Sequence, residues 1–170
     1  MTPYRLIVTE KPSVARDIGR VLGIQRRNGG YLDGGKTLIT WCVGHLLQLA
    51  EPSSYNKEWR RWQLESLPML PEQFALQPRE TGQDQYKIVA DLLRGAAEVV
   101  NACDAGREGE LIFAWVYEHA GCKAPTKRLW ISSMTDGAIR DGFSKLRDGA
   151  LFAPLEAAAR CRAEVTGWSA

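Results

Sequence analysis

Two short apolar runs, each followed at once by charged residues and then by a helical pattern, constrain the fold of this chain most. The first run is residues 4–9, after which come Glu10 and Lys11. The second is residues 98–103, after which the sequence DAGREGE (residues 104–110) opens another helical segment. Apolar, β-prone runs that alternate with helical periodicity indicate a parallel sheet. We therefore predict an α/β fold with an open, mostly parallel sheet that is flanked by helices.

The first predicted helix has recognisable ends. Pro12 suits a first helical turn, Ser13 is the predicted N-cap, and Gly23 ends the helix. The same patterns predict the other elements. Strands are expected at 37–43, 74–77 and 128–132, and helices at 84–94, 108–119, 136–146 (capped by Thr135) and from 154 onward.

Glycines and prolines predict the irregular parts of the chain. Glycine pairs at 29–30 and 34–35 indicate tight turns, so the residues between them are expected to form a hairpin with the strand at 37–43. Residues 51–78 are rich in proline, which indicates an irregular insertion. Within it, we expect the Trp62 side chain to pack the insertion onto the core.

Composition narrows the classes of protein that this chain belongs to. With 170 residues the chain is long enough for one compact core. Its net charge of +2 permits a nucleic-acid partner without requiring one. The four cysteines form no C-x-x-C pair and there are only two histidines, which argues against a structural zinc site. Because no apolar run has membrane-spanning length and no leader is recognisable, we expect a cytoplasmic protein with no membrane partner.

The acidic loop after the second run has two interpretations. Asp104 at a strand end and Glu108 in the next helical turn are placed to share a hard cation such as Mg2+. Alternatively, Glu108 and Glu110 only complement the positive end of a helix dipole, an interpretation that we keep for Glu110. Gly106 and Gly109 are expected to allow the backbone a close approach in the turn.

Glu10 and Lys11 also have two interpretations. A carboxylate that leaves a strand can act as general acid or base, and the adjacent ammonium can contact a phosphate oxygen. The alternative is an exposed turn with a solvated ion pair. Because parallel strands open on one edge, Glu10, Asp104 and Glu108 meet if their strands are neighbours. This convergence favours the functional interpretation.

Four motifs occur in an order that resembles a known family. They are EKPSVA (residues 10–15), GHLLQLA (44–50), DAGREGELIFAW (104–115) and RLWISSMTDGAI (128–139). Over about residues 4–146 the chain resembles the N-terminal toprim domain of type IA DNA topoisomerases, and most closely their bacterial topoisomerase III branch. The resemblance implies a toprim domain at 1–150 and the truncated start of a helical topoisomerase domain at 151–170.

The resemblance also implies an activity and a site. The whole enzyme, an isomerase, would break and rejoin single DNA strands through a 5′-phosphotyrosine with Mg2+ as cofactor. By this resemblance Glu10 is the acid and base at the 3′-oxygen, Lys11 contacts the scissile phosphate, and Asp104 and Glu108 bind the metal with Glu10 close enough to share it. The implied partners are DNA, mainly single-stranded, and the remaining domains of the same polypeptide, and the implied location is the nucleoid.

Two departures from the family pattern matter. Gly106 occupies the middle acidic position of the wider Asp-x-Asp-x-Glu pattern, so we expect a single, weak, water-rich Mg2+ site. No tyrosine of this chain stands in the family's Tyr-x-Arg-Thr setting, so we expect the fragment alone not to cleave DNA.

Two more residues are possible DNA contacts, and two other functions remain as alternatives. His45 and Arg107 are possible DNA contacts, although His45 is equally expected as a structural histidine and Arg107 as a residue that positions the acidic ligands. A toprim nuclease or primase is one alternative function, against which the motifs at 44–50 and 128–139 argue. The other is a stand-alone toprim module that binds nucleic acid or a partner.

Overall fold

The computed structural model describes residues 3–61 and 63–166. Within them the chain forms nine strands and five α-helices. The strands are β1 (Tyr4–Thr9), β2 (Arg26–Asn28), β3 (Tyr31–Asp33), β4 (Thr37–Trp41), β5 (Leu47–Leu49), β6 (Leu76–Pro78), β7 (Ala96–Asn101), β8 (Thr126–Arg128) and β9 (Arg147–Asp148). The helices are α1 (Pro12–Leu22), α2 (Gln83–Gly95), α3 (Arg107–His119), α4 (Asp136–Ser144) and α5 (Ala153–Thr166).

A central sheet of seven strands confirms the predicted α/β class. Its order is β2-β3-β4-β1-β7-β8-β9. The four inner strands β4, β1, β7 and β8 run parallel, whereas β2, β3 and β9 are antiparallel additions at the two edges. Because the inner strands run parallel, the chain leaves all of them at one edge, and the segments after β1, β4 and β7 are neighbours there.

The core lies on both faces of this sheet, because successive residues of β1 point to opposite sides. Leu6 and Val8 belong to an apolar cluster with residues of α2 and α3. Ile7 belongs to a second cluster with residues of α1 and α4. All three side chains are fully buried, so this is a sheet covered by helices on both faces.

The start of α1 differs from its prediction in one detail. Pro12 occupies the first helical turn, and Gly23 ends the helix with a φ of 73°, as expected. The N-cap position belongs to Lys11, not to Ser13, and the Lys11 side chain makes no capping hydrogen bond. Proline at the first helical position moves the N-cap two residues earlier and leaves the Lys11 side chain available to the site.

The strand predicted at 128–132 is displaced. β8 ends at Arg128, and the residues after it serve packing instead of strand pairing. Trp130 stacks on Phe152 at a centroid distance of 5.0 Å, and Ile131 packs against the second apolar cluster. The apolar pattern in this segment therefore reflects side-chain burial without a neighbouring strand.

The remaining predictions are confirmed in outline. The hairpin exists and gains a third strand, β2, and the helices α2 to α5 lie within a few residues of their predicted bounds. Residues 51–78 hold short 3-10 turns, and β6 pairs with the unpredicted β5. Trp62 and residues 167–170 lie outside the described residues, and the domain division at residue 150 stays a prediction. None of the helices formed by the described residues is long and apolar enough to cross a membrane.

Candidate active site

The neighbouring strands β1 and β7 bring two of the predicted acidic residues together. Glu10 follows the last residue of β1, and Asp104 lies just beyond the end of β7. The register pairs Val8 with Asn101, so both strands end at the same level of the sheet. The strands are thus neighbours, as the expected convergence required, and two of its three carboxylates meet at this edge.

Lys11 joins these two carboxylates. Its Nζ lies 3.3 Å from Glu10 Oε1 and 3.3 Å from Asp104 Oδ2. The hydrogen bond to Asp104, followed by the charge of Glu10, raises the pKa of the Lys11 ammonium. The Glu10 side chain is only 13% exposed, whereas those of Lys11 and Asp104 are about half exposed. The edge therefore holds a protonated amine that is open to solvent between two carboxylates.

Glu108 is held separately, by His45. The Glu108 carboxylate forms a hydrogen bond with His45 Nε2 and remains largely exposed. The His45 ring in turn packs edge-on against Trp115, with a centroid distance of 5.6 Å. The loop that carries His45 is tied to the site, since the amide of Gly44 donates to the carbonyl oxygen of Glu10 over 3.1 Å. His45 thus lies beside the acidic edge with a hydrogen bond to Glu108, and its contact to DNA stays a prediction.

The three predicted metal ligands are not preassembled. Among residues 3–61 and 63–166, no group of three or more His, Cys, Asp and Glu side chains is arranged to hold a metal ion. Glu10 and Asp104 nevertheless face one cation, the Lys11 ammonium, while Glu108 is turned to His45. The donors are carboxylate oxygens, which hard cations such as Mg2+ prefer. The side chains therefore have the ligand atoms that such a cation requires. To hold it, Glu10 and Asp104 would have to release Lys11, and Glu108 would have to release His45.

Arg107 is exposed at the start of α3, immediately before Glu108. In the described part of the chain its side chain forms no ion pair with the acidic residues. The expectation that Arg107 positions their carboxylates is therefore not met in this structure. Its solvent exposure beside the acidic edge leaves the other expectation, a contact to DNA, as a prediction.

A buried ion pair behind the site escaped the sequence analysis. Arg128 and Glu110 are almost fully buried, and Arg128 Nε donates to Glu110 Oε1 over 2.6 Å. Burial raises the pKa of Glu110, and the charge of Arg128 opposes that rise. Asn101 Nδ2 donates to the other carboxylate oxygen over 3.0 Å. Glu110 therefore does more than complement a helix dipole.

Arg128 also anchors the backbone of the acidic loop. Its guanidinium donates to the carbonyl oxygens of Cys103 and Asp104 over 2.6 and 2.9 Å. These bonds fix the chain where it leaves β7 and so place Asp104. The available sequence signal was an arginine at the start of the apolar run RLWI, together with an acidic residue, Glu110, directly before an apolar helical run.

The two glycines of the loop have different roles. A Cβ at Gly109 would lie 2.1 Å from the carbonyl oxygen of Asp104, so the predicted close approach is confirmed there. Gly106 has an extended backbone with a φ of 166°, and a Cβ there would meet no atom within 4 Å. The same prediction is therefore wrong for Gly106, which other residues can replace.

Comparisons with known proteins agree on one family. Residues 5–134 match the family model described as "Toprim domain". The chain is 49% identical to DNA topoisomerase 3 of Shouchella clausii over 162 residues and 47% identical to DNA topoisomerase 3 of Bacillus anthracis over 161 residues. Each alignment covers 94% of this chain and 22% of the relative, so the chain spans less than a quarter of their length.

A solved structure shares the fold. Full-length topoisomerase I from Thermotoga maritima superposes with a TM-score of 0.51 at 22% identity, covering 84% of this chain and 21% of that one. This likeness concerns the fold alone. Since the family model spans most of the sheet and all the residues of the acidic edge, the chain belongs to the toprim domain family.

Proposed function

We propose that this chain is the toprim part of a type IA DNA topoisomerase of the topoisomerase III kind, an enzyme that breaks and rejoins single DNA strands. The observation that carries the proposal is the Lys11 ammonium, which lies 3.3 Å from both the Glu10 and the Asp104 carboxylates. A proton-transfer group beside a cation is what phosphodiester chemistry requires. The relatives named DNA topoisomerase 3 match 94% of the chain, beyond the toprim match at 5–134, which supports this function over a toprim nuclease or primase.

In this proposal Glu10 and Lys11 have complementary roles. Glu10, the less exposed of the two carboxyl groups, acts in cleavage as the protonated acid, giving its proton to the 3′-oxygen as the bond from that oxygen to phosphorus breaks. In resealing the resulting carboxylate takes the proton back from the 3′-hydroxyl as that bond forms again. Lys11 contacts the scissile phosphate, which replaces the carboxylates as its partner. This exchange is feasible because Lys11 is about half exposed and its present partners are held at 3.3 Å.

The nucleophilic tyrosine is proposed to come from outside this chain. The hydroxyl groups of Tyr4 and Tyr117 donate to the carbonyl oxygens of Leu92 and Ala124, over 2.7 Å in each case. Burial raises the pKa of both phenols, which disfavours the phenolate. Since none of the five tyrosines stands in a Tyr-x-Arg-Thr setting, the chain alone is expected not to cleave DNA.

Toprim domains of topoisomerases are divalent-metal-binding domains in general. We propose that Mg2+ is the ion here and that Asp104 and Glu108 hold it, with Glu10 close by. When bound, the ion supplies positive charge against the phosphate oxygens. Lys11 and His45 give up their present carboxylate contacts for it.

Metal binding is testable without activity. We expect Mg2+ titration of the chain, followed by calorimetry, to show a weak site that Asp104→Asn weakens further. Asp84→Asn, which removes an exposed carboxylate from the first turn of α2, serves as the control. Equal binding by wild type and Asp104→Asn would remove Asp104 as a ligand.

The activity is tested on the whole protein that contains this chain, with relaxation of negatively supercoiled DNA as the assay. We expect Glu10→Gln to lower the rate by about 10²–10⁴-fold, the usual contribution of a positioned acid or base. Glu98→Gln is the control, because Glu98 pairs with Arg5 on the surface of the sheet. Undiminished relaxation by Glu10→Gln contradicts its role. Because DNA is the proposed substrate, we also propose that the protein is associated with the nucleoid.

A further inference from the structure

A cavity of about 260 Å3 lies beside the proposed active site, between the first turns of α1 and the edge hairpin. Pro12 and Arg16 of α1 line it on one side. Arg27, Tyr31 and Trp41, from the strands β2, β3 and β4, line it on the other. Its volume is slightly below the range of about 300–1,000 Å3 that is usual for small-molecule sites, so it suits one planar group.

The cavity carries positive charge that nothing in its lining balances. Arg16 and Arg27 are both exposed, and no aspartate or glutamate lines the cavity. Within the described residues neither guanidinium forms an ion pair. The nearby arginines behave differently, since Arg20 pairs with Asp136 over 2.8 Å. Two arginines without carboxylate partners beside one apolar cavity favour an anionic occupant.

Trp41 gives the cavity an aromatic surface for stacking. Trp41 is partly exposed and packs against the same apolar cluster as the almost fully buried Leu32, whereas Tyr31 packs against the cluster on the other face of the sheet. Proteins that bind single-stranded nucleic acid combine a basic groove with aromatic rings on which bases stack. This cavity has both features, whereas duplex DNA keeps its bases stacked and out of reach of such rings.

The cavity lies next to the catalytic edge along two chain segments. The register pairs Trp41 with Thr9, the residue before Glu10. Pro12 directly follows Lys11, so α1 connects the cavity to the proposed phosphate contact. A nucleotide that occupies this cavity would belong to the same strand as the phosphate at Lys11.

We propose that this cavity binds one base of single-stranded DNA, stacked on Trp41, with Arg16 and Arg27 at the flanking phosphates. The inference rests on the proposed function for the choice of DNA as ligand. It adds a site of strand recognition on the toprim domain itself.

The test is fluorescence anisotropy of a short labelled oligodeoxythymidylate with the 170-residue chain. We expect Arg27→Gln to weaken binding and to lower the slope of log affinity against log salt concentration by about 0.7, the share of one phosphate contact on a single strand. Trp41→Ala should weaken binding about tenfold, as loss of one stacked base does, and Trp41→Phe should restore most of it.

Arg147→Gln is the matched control. Arg147 is also an exposed strand arginine, but it lies on β9 at the opposite edge of the sheet. Its replacement changes the net charge equally and should leave both affinity and salt slope unchanged. Equal weakening by Arg27→Gln and Arg147→Gln would show that only net charge matters and would overturn the proposal.

Other outcomes also decide the matter. No measurable binding by the wild-type chain, wild-type affinity in both Arg27→Gln and Trp41→Ala, or equal affinity for a duplex of the same length each overturns the cavity as a single-strand site. The proposed function fails separately, through undiminished relaxation by Glu10→Gln in the whole protein. If relaxation depends on Glu10 while the cavity variants bind like wild type, the enzyme assignment stands and the cavity assignment falls.

Discussion

Two ion-paired groups contact Asp104, one at its backbone and one at its side chain, and they differ in burial, distance and role. Arg128 and Glu110 have side chains only 1% and 6% exposed and are joined over 2.6 Å. Lys11 is 54% exposed and lies 3.3 Å from each of its two carboxylates. The first group holds the backbone of the loop, whereas the second leaves its charges accessible.

The difference follows from what burial does to a charge. A buried ion has lost its water and keeps its charge only when hydrogen bonds replace that water, so its partners cannot be exchanged without a large cost. An exposed ion pair gains little from its partner, because water competes equally well. A site that must exchange carboxylate, phosphate and metal partners therefore needs exposed ion pairs among its reacting groups. A buried ion pair holds the backbone that carries those groups.

Breaking the buried pair should have the largest effect. Arg128→Met leaves Glu110 without its cation and the carbonyl groups of Cys103 and Asp104 without a donor. We expect the free energy of unfolding, measured in urea, to fall by about 3–5 kcal/mol. Arg147→Met, at an exposed position of β9, should change it by no more than about 0.5 kcal/mol. Similar stability in the two variants would contradict the anchoring role of Arg128.

Alanine substitutions at Gly106 and Gly109 test how tightly the backbone near Asp104 is packed. Gly109→Ala places a Cβ 2.1 Å from the carbonyl oxygen of Asp104, and we expect a loss of about 1–3 kcal/mol as the loop moves away. Gly106→Ala has open space and an extended backbone, so it should be neutral or slightly stabilising. Thermal unfolding of both variants checks this, and equal losses would show that the loop is strained throughout.

The pH dependence of Arg128→Met tests the charge of Glu110. Burial already raises the pKa of Glu110 in the wild type, and removing Arg128 takes away the charge that opposes this rise. A carboxyl group whose pKa is higher in the folded state stabilises the protein at acid pH and loses that contribution as the pH rises through the folded pKa. We therefore expect the deficit of Arg128→Met to shrink on acidification. A deficit that is the same at every pH would mean that Glu110 stays charged or becomes hydrated.

Lys11→Gln should have the smallest effect on stability. Because Lys11 is exposed, the urea midpoint of the chain should stay at the wild-type value. Relaxation by the whole protein should nevertheless fall strongly, since the proposed phosphate contact is lost. A variant that unfolds earlier but relaxes DNA normally would reverse the roles assigned to the exposed and buried groups.

Much of the fold and half of the site were predictable from local pattern. Strand and helix periodicity placed Glu10 and Asp104 at the ends of two strands, and the rule that parallel strands share an edge brought them together. Gly109 was predicted correctly because a helix that starts immediately after a strand requires close backbone approach. The strand at 128–132 was placed wrongly, because an apolar pattern records burial and does not distinguish strand pairing from packing of a loop.

Sequence by itself determined the order of the βα units, the edge at which the charged residues gather and the family to which their motifs belong. The first two properties depend on neighbours along the chain, so local periodicity is enough to reveal them, and the family follows from the resemblance of four ordered motifs. Tertiary structure alone decided that Arg128 is buried against Glu110, that His45 holds Glu108 and that Lys11 joins Glu10 to Asp104. The pairs Arg128–Glu110, His45–Glu108 and Lys11–Asp104 each join different segments of the chain, and their distance and burial depend on register and packing, which no local pattern contains.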